Sequence, residues 1–310
     1  MFHFIFKKIY LNIKKDIEEQ NAARIASHRL PGDVKISTLP YLDSGNEMHR
    51  FNIYKNGRTG GAAPLIVDIH GGGWIAGDKD TNGLFCCRLA EGGFDVSSLS
   101  YRNVDSCSII EQIQDIFAYL HYIKNNATAL GLSFENVFLS GDSAGGQLAL
   151  LAYNVNRSAK LREMFGVSPV NINFKAMALI HSVCYVNMAG KLKNNPVISR
   201  LISVPELART VYGKQNYGRE LYNSTCTPTA FITENTPLPP VLLISSAGDE
   251  MYSYQTDMLY RDLRALKKDC ELYFETDPKA GHVFNIADPD SDLARKCNAH
   301  MMNFFKSAMQ

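Results

Sequence analysis

The stretch Gly141-Asp142-Ser143-Ala144-Gly145 contains the serine best placed to act as a nucleophile. It follows the apolar run 136–140 and precedes the helix-like run 147–152. A serine on a sharp turn between a buried strand and a helix has its Oγ lifted clear of the backbone, and the flanking glycines leave room for the neighbouring elements. A chain with 22 glycines in 310 residues can carry this pattern by chance, so its meaning depends on the rest of the sequence.

A second motif, His70-Gly71-Gly72-Gly73-Trp74, follows the buried strand predicted over 65–69. Active sites in open parallel sheets lie at the carboxyl ends of the strands. Consecutive glycines let a backbone turn approach a substrate with its amide groups pointing into the site, as an oxyanion hole requires. We therefore assign Gly71, Gly72, Gly73 and Ala144 to an oxyanion hole, with Gly71 shaping the turn. The alternative is a flexible glycine loop.

A serine nucleophile needs a base, and three histidines follow Ser143 in the sequence. His181 lies inside an apolar strand predicted over 175–183, which favours a role in the core or at the strand end. His300 falls in the closing helix, where a surface position is expected. His282 follows the last predicted strand, on the same sheet edge as Ser143, and is therefore the predicted base.

The orienting acid should follow the penultimate strand, where Asp249 and Glu250 are both available. We prefer Asp249 because it comes directly after the turn residue Gly248. An acid at a strand end is often only a helix cap. However, Ser143, Asp249 and His282 occur in the order that this strand-turn-helix architecture requires.

Buried strand patterns alternate with helical patterns along most of the chain, which predicts a mainly parallel sheet with helices on both faces. Residues 184–238 break the alternation and are predicted to form an inserted cap or lid. Strands are predicted at 48–54, 65–69, 94–100, 135–140, 175–183, 240–246 and 270–275, whereas the alternation at 34–38 is too short to predict one. Helices are predicted at 2–20, 80–91, 109–125, 144–156, 253–267 and 290–307, and a further helix-like piece at 196–212 inside the cap.

The first of these helices is amphipathic, with Phe2, Phe6, Ile9, Ile13 and Ile17 on one side. Such a stripe most often packs against its own protein. Peripheral contact of residues 2–17 with a lipid surface is the alternative.

Composition excludes several classes of protein. The net charge of +1 gives no support to nucleic-acid binding. Seven cysteines without C-x-x-C spacing argue against both a disulfide framework and a zinc ribbon, and favour reduced thiols in the cytoplasm. The first residues make a poor signal peptide, and no apolar run is long enough to span a membrane. No metal or other cofactor is implied, and the oligomeric state is left open.

With both glycine motifs intact, the sequence resembles the hormone-sensitive-lipase branch of the α/β-hydrolase superfamily over about residues 30–308. Tyr101-Arg102, Asp115 and Leu238-Pro239-Pro240 also match this family. The stretch 103–110 lacks the usual proline-rich segment, and Glu250 stands where the family tends to place proline.

The resemblance implies an α/β-hydrolase core of residues 33–183 and 239–310, an N-terminal helical cap segment of residues 1–32, and the inserted cap. It also implies a serine carboxylesterase acting on small acyl esters of short to medium chain length through Ser143, His282 and Asp249. Within hydrolases, an amidase or formamidase and a sugar-ester deacetylase stay open, because the triad does not determine the leaving group. A hydrolase-fold binding protein without activity is a further alternative.

Overall fold

A computed structural model describes residues 2–57, 63–188 and 204–309. Its centre is an eight-stranded sheet in the order β1-β2-β4-β3-β5-β6-β7-β8. The strands β1 and β2 pair antiparallel to each other, β2 is antiparallel to β4, and the remaining neighbours are parallel. The strands are β1 Val34–Pro40, β2 Arg50–Asn56, β3 Leu65–Ile69, β4 Asp95–Leu99, β5 Val137–Asp142, β6 Phe174–Ile180, β7 Val241–Ser246 and β8 Cys270–Glu275.

Helices cover both faces of this sheet. The described helices are α1 Phe2–Ser27, α2 Gly83–Glu91, α3 Ile109–Asn125, α4 Ala127–Leu130, α5 Ser143–Arg157, α6 Ala159–Phe165, α7 Val204–Tyr212, α8 Glu220–Thr225, α9 Thr256–Ala265, α10 Phe284–Ala287 and α11 Asp292–Ser307. Short 3-10 turns lie at Glu47–His49, Val186–Met188, Pro228–Ala230 and Tyr252–Tyr254. The predicted fold class, a mostly parallel sheet between two layers of helices, is confirmed.

The sheet separates two apolar cores, one on each face. The strand β3 is buried along its whole length, as a central parallel strand must be, since helices cover both of its faces. Side chains therefore alternate between the two cores, with Leu65, Val67 and Ile69 in the larger one and Ile66 in the smaller. Asp68 points to the same face as Ile66, and it is the one acidic residue in this otherwise apolar strand.

Local capping sets where α3 begins. The Ser108 side chain accepts a hydrogen bond from the Glu111 amide, and the Glu111 side chain accepts one from the Ser108 amide, which together form a capping box. The helix also carries Asp115, which is buried and accepts two parallel hydrogen bonds from the Arg102 guanidinium at 2.9 and 2.7 Å. This pairing links the chain after β4 to α3, and it gives a structural reason for the Arg102 and Asp115 positions noted in the sequence.

Several elements extend beyond or differ from their predicted bounds. The helix α1 continues to Ser27, and β6 ends at Ile180, so His181 lies outside the strand in which it was expected. Of the predicted helix 196–212, only Val204–Tyr212 falls within the described residues. Among the described helices, none is both long and apolar enough to cross a membrane.

The first turn of α5 packs closely against the backbone at the end of β3. A Cβ atom added to Gly145 would lie 2.1 Å from the Ile69 carbonyl oxygen and 2.2 Å from that of His70. Both obstacles are main-chain atoms, so no side-chain rotation can relieve the clash. Because Gly145 has no side chain, the first turn of α5 can lie directly against the end of β3.

We expect Gly145→Ala to destabilise the fold by about 2 kcal/mol or more, because overpacking against backbone forces the helix and strand apart. The better helix propensity of alanine acts in the opposite direction and is smaller. Chemical unfolding curves would measure the change. The control is Gly32→Ala, where an added Cβ has open space and the change should stay within about 0.5 kcal/mol. Equal stability of the two variants would contradict this account.

Candidate active site

Ser143 occupies a strained turn between β5 and α5. Its φ of +50° is in the left-handed region, which non-glycine residues seldom adopt. Close packing imposes this geometry, since Gly141 leaves room for the backbone of Gly145 and Gly146. The result is a serine side chain at the N-terminus of a helix, where it is partly exposed. This is the geometry that a nucleophile elbow requires.

The glycine loop after β3 lies beside this serine. Gly72 and Gly73 have φ values of +114° and +62°, so the loop depends on their conformational freedom. Their amide groups donate no hydrogen bond within the part of the chain that the structure describes. The amide of Ala144 is in the first turn of α5, where helix N–H groups have no intrahelical partner. These three amides are available to a ligand.

Gly71 differs from its two neighbours. Its amide donates to the Asp142 carboxylate at 2.8 Å, and a Cβ atom at Gly71 would collide with that same carboxylate. An engaged donor cannot also bind an oxyanion. Gly71 was assigned to the oxyanion hole, but in the structure it holds the loop in place instead.

His282 is within hydrogen-bond distance of both expected partners. Its Nε2 lies 3.0 Å from Ser143 Oγ, and its Nδ1 lies 3.3 Å from an oxygen of Asp249. The Asp249 side chain is buried, whereas the neighbouring Glu250 is exposed. The structure thus brings together the serine, histidine and aspartate that the sequence singled out, and it leaves Glu250 outside the group.

The loop that carries His282 is fastened to the end of β7. The Ser246 hydroxyl donates to the Ala280 carbonyl at 2.6 Å. Gly248 lets the same loop pass close by, because a Cβ there would lie 2.4 Å from that carbonyl oxygen. Val283 follows with a φ of +53°, and α10 begins directly after it. Asp249 and His282 are consequently held by one joined pair of loops.

Asp249 has a second histidine partner that the sequence did not predict. His181 Nδ1 lies 2.8 Å from the other oxygen of Asp249, which is closer than the His282 contact. Burial alone would raise the pKa of Asp249, but the hydrogen bonds from His181 and His282 lower it well below its ordinary value. His181 is buried and directly follows the end of β6, as predicted for a core or strand-end residue, whereas its contact with Asp249 was not predicted.

A network of buried polar side chains, formed by Asp142, Asn82 and Asp68, restrains the glycine loop. The Asn82 amide nitrogen donates to Asp142 at 2.8 Å and to Asp68 at 3.0 Å. Burial, together with the nearby charge of Asp142, raises the pKa of Asp68 to about 7. Sequence reasoning missed Asp68 and Asn82, although an aspartate inside an apolar strand just before the glycine motif was a usable signal.

His70, the first residue of the glycine motif, belongs to the scaffold. Its ring is fully buried and stacks on Tyr101, with centroids 4.3 Å apart. The Tyr101 hydroxyl donates to the His70 carbonyl at 2.7 Å. Burial lowers the pKa of His70, so it is neutral near pH 7. It fixes the loop and does not reach the serine.

A cavity of about 470 Å³ opens beside Ser143 and His282. One wall is the glycine loop, and the opposite wall is α1, which contributes Ile17, Gln20, Asn21 and Arg24. Ile17 also packs against the larger apolar core, and Arg24 donates to the Thr81 carbonyl. At least this part of α1 therefore packs on the chain itself. The side chains of Phe2, Phe6, Ile9 and Ile13 lie outside the described residues.

His181, Asp249 and His282 could also be considered as metal ligands, since their ligand atoms all lie within 4.8 Å of one another. However, the facing Nδ1 atoms are at hydrogen-bond distances from the carboxylate. An ionised carboxylate can only accept, so each of these nitrogens carries a proton and offers no lone pair to a metal. The geometry fits a hydrogen-bonded group better than a metal centre.

A strained serine at the start of a helix, followed along the chain by a buried acid and then a histidine, with a glycine loop alongside, defines a member of the α/β-hydrolase class. The chain belongs to the BD-FAE family, an α/β-hydrolase esterase family whose model matches residues 51–263.

Among solved structures, esterase B from Lactobacillus rhamnosis HN001 is 27% identical, with a TM-score of 0.89, over 98% of this chain and 95% of that one. A structure of esterase B inhibited by a C4-C4 tributyrin phosphonate is also similar, with a TM-score of 0.87, 28% identity and coverage of 98% and 95%.

Curated relatives match over shorter segments. The carboxylic ester hydrolase LipN of Mycobacterium tuberculosis is 36% identical over 115 residues, which are 36% of this chain and 30% of LipN. A probable isoprenylcysteine alpha-carbonyl methylesterase of Arabidopsis thaliana, ICMEL2, is 28% identical over 132 residues, or 40% of this chain and 31% of that protein. The matches thus span about a third of the length of these curated relatives.

The Asp68 network predicts an unusual pH dependence of stability. An acid whose pKa is raised in the folded state stabilises the fold most at low pH, and this stability is lost as the pH rises from about 4 through about 7. We expect Asp68→Asn to remove this loss. Relative to the wild type, the free energy of unfolding of the variant should rise by on the order of 2 kcal/mol between about pH 5 and pH 8.

Denaturant unfolding at several pH values would measure this gain. The exposed Asp43→Asn variant is the matched control and should follow the wild type. A parallel pH dependence of Asp68→Asn and the wild type would show that Asp68 is already ionised in the folded protein.

Proposed function

We propose that this chain is a serine carboxylesterase that hydrolyses esters of short- to medium-chain acyl groups. The observation that carries the proposal is the 3.0 Å contact between Ser143 Oγ and His282 Nε2, at a cavity lined by the glycine loop. Membership in the BD-FAE family supports the same activity. So does the similarity to an esterase that a tributyrin phosphonate inhibits.

In the proposed reaction, Ser143 Oγ attacks the ester carbonyl carbon while its proton passes to His282 Nε2. The negative charge on the carbonyl oxygen is stabilised by the amides of Gly72, Gly73 and Ala144, which have no competing partner among the described residues. His282 then donates its proton to the departing alcohol, and an acyl-enzyme is formed.

Hydrolysis of the acyl-enzyme repeats these steps with water. His282 removes a proton from a water molecule, the resulting hydroxide attacks the acyl carbon, and Ser143 leaves with a proton returned by His282. Throughout, Asp249 orients His282 and stabilises its imidazolium form. The lowered pKa of Asp249 keeps it ionised as the pH falls, so it can act as the acceptor for His282.

We further propose that residues 184–238 form the cap predicted between β6 and β7. In support, the Val186 amide donates to the Cys226 carbonyl at 2.9 Å, which ties the start of the segment to its later part. Its helix α7 packs on the larger apolar core through Ala208 and Val211. The cytoplasm is the proposed location, which agrees with seven cysteines that are all free.

Replacement of Ser143 tests the proposed activity directly. We expect Ser143→Ala to lose at least about 10⁴-fold of the turnover of p-nitrophenyl butyrate, because the nucleophile is removed. A fluorophosphonate should label the wild type and not the variant. The surface variant Ser168→Ala is the control and should behave as the wild type.

Wild-type turnover no higher than that of Ser143→Ala would overturn the esterase proposal. If Ser143 were still labelled in that case, the amidase and deacetylase alternatives would be tested next with activated amides and acetylated sugars. Absence of labelling would favour a binding protein without activity.

The wall provided by α1 predicts control over acyl-chain length. Asn21 lines the cavity, whereas the adjacent Ala22 is exposed. We expect Asn21→Trp to fill part of the cavity and to lower kcat/KM several-fold for p-nitrophenyl octanoate, with less effect on the acetate. Ala22→Trp places the same side chain on the outer face and should leave the chain-length profile unchanged. Identical profiles for all three proteins would place the acyl group elsewhere.

A further inference from the structure

His181 is a fully buried histidine that touches the proposed triad without belonging to it. Its Nδ1 lies 2.8 Å from Asp249 Oδ2, and Nδ1 of His282 lies 3.3 Å from Oδ1 of the same carboxylate. The carboxylate is thus placed between two histidines, one on each oxygen. The His181 ring also stands edge-on to the rings of His282 and Phe284, with centroid distances of 5.4 and 5.7 Å.

The protonation of His181 follows from its surroundings. An ionised carboxylate accepts hydrogen bonds and donates none, so Nδ1 must carry the proton. The other ring nitrogen, Nε2, is buried and has no hydrogen-bond partner among the described residues. Burial lowers the pKa of His181, and a positively charged His282 would lower it further, whereas Asp249 and Asp142 act in the opposite direction. The neutral Nδ1–H form is therefore the stable one.

The backbone at His181 adopts an unfavourable conformation that brings its ring into contact with Asp249. His181 comes directly after β6 with a φ of +46°, in the left-handed region. Its amide donates to the Ile244 carbonyl at 2.7 Å, which fixes the turn against β7. A left-handed conformation of a residue other than glycine or asparagine is unfavourable and persists only where the surroundings enforce it. Here the turn aims the imidazole at Asp249.

The other contacts of Asp249 are weaker or come from the backbone. The Ser245 hydroxyl is 3.3 Å from Oδ2, and the Met251 amide donates to Oδ1 at 3.0 Å. Of the side chains bonded to this carboxylate, His181 makes the shortest contact. Without it, Oδ2 would keep only the 3.3 Å contact with Ser245, so the carboxylate would be less restrained about its last bond and its alignment with His282 would be less well fixed.

We infer that His181 is a positioning residue that fixes the Asp249 carboxylate through Oδ2, so that Oδ1 is kept for His282. This inference rests on the proposed function. His181 shares the negative charge of Asp249 with His282 but exchanges no proton with substrate. The arrangement differs from a simple triad in that the acid is itself held by a second, neutral imidazole.

Substitutions by asparagine and glutamine test the inference because they carry the same amide at different distances from the backbone. In Asn, the amide nitrogen is attached at the same carbon position as the histidine Nδ1, and Asn tolerates a left-handed φ. His181→Asn should therefore retain most of the turnover. In Gln, the amide lies one carbon further out, so His181→Gln should lower kcat about 10- to 100-fold with KM within about threefold.

The pH profile of kcat/KM provides a readout that packing alone would not move. Removal of the His181 donor concentrates the charge of Asp249 on the His282 side. The midpoint of the acidic limb should then move to higher pH in His181→Gln and not in His181→Asn. His181→Gly serves as a third variant, since it accepts the backbone conformation without a donor, and it should behave as His181→Gln does.

Fluorophosphonate titration of active sites and thermal unfolding would show that equal amounts of folded enzyme are compared. Wild-type kcat in folded His181→Gln and His181→Gly would overturn the inference. An equal loss in all three variants with an unmoved acidic limb would also overturn it, because the role would then be packing only. A wild type without Ser143-dependent turnover would instead overturn the proposed function.

Discussion

The contact between the first turn of α5 and the end of β3 is the constraint on which the site depends. With no side chain at Gly145, the helix start lies against the carbonyl groups of Ile69 and His70. The same contact fixes two things at once, because Ser143 begins the helix and the glycine loop begins at the strand end. Ser143 and the amides that lie beside it are therefore positioned by one backbone approach. The strained φ of Ser143 is the conformational cost of this approach.

Around this contact, several buried polar groups restrain parts of the site. Asp142 holds Gly71, Asn82 links Asp142 to Asp68, and His181 and His282 hold Asp249. A buried carboxylate is costly unless it is hydrogen-bonded, so each of these acids is stable only with its donors in place. The network therefore favours a single arrangement of the loops, which is the preorganisation that stabilisation of a developing charge needs.

The sequence predicted the parts of this structure that have strong local signals. Buried apolar runs, turn glycines and the order of Ser143, Asp249 and His282 led to the sheet, the helices and the group around the serine. The long-range partners had no such signal. His181 looks like a strand residue until β6 is seen to end at Ile180, and Asp68 looks like an interruption until Asn82 is found next to it in space. The use of the Gly71 amide by Asp142 likewise depends on a contact between residues 71 positions apart.

The position of α1 has a consequence for how such proteins diverge. Its residues that line the cavity lie before residue 51, where the match to the family model begins, whereas the serine, the acid and the glycine loop lie inside the matched range. The part of the cavity wall that α1 provides and the groups around Ser143 therefore belong to separate stretches of chain. Changes in the first stretch can alter which molecules fit without disturbing the reacting atoms, so relatives with the same chemistry can differ in what they accept.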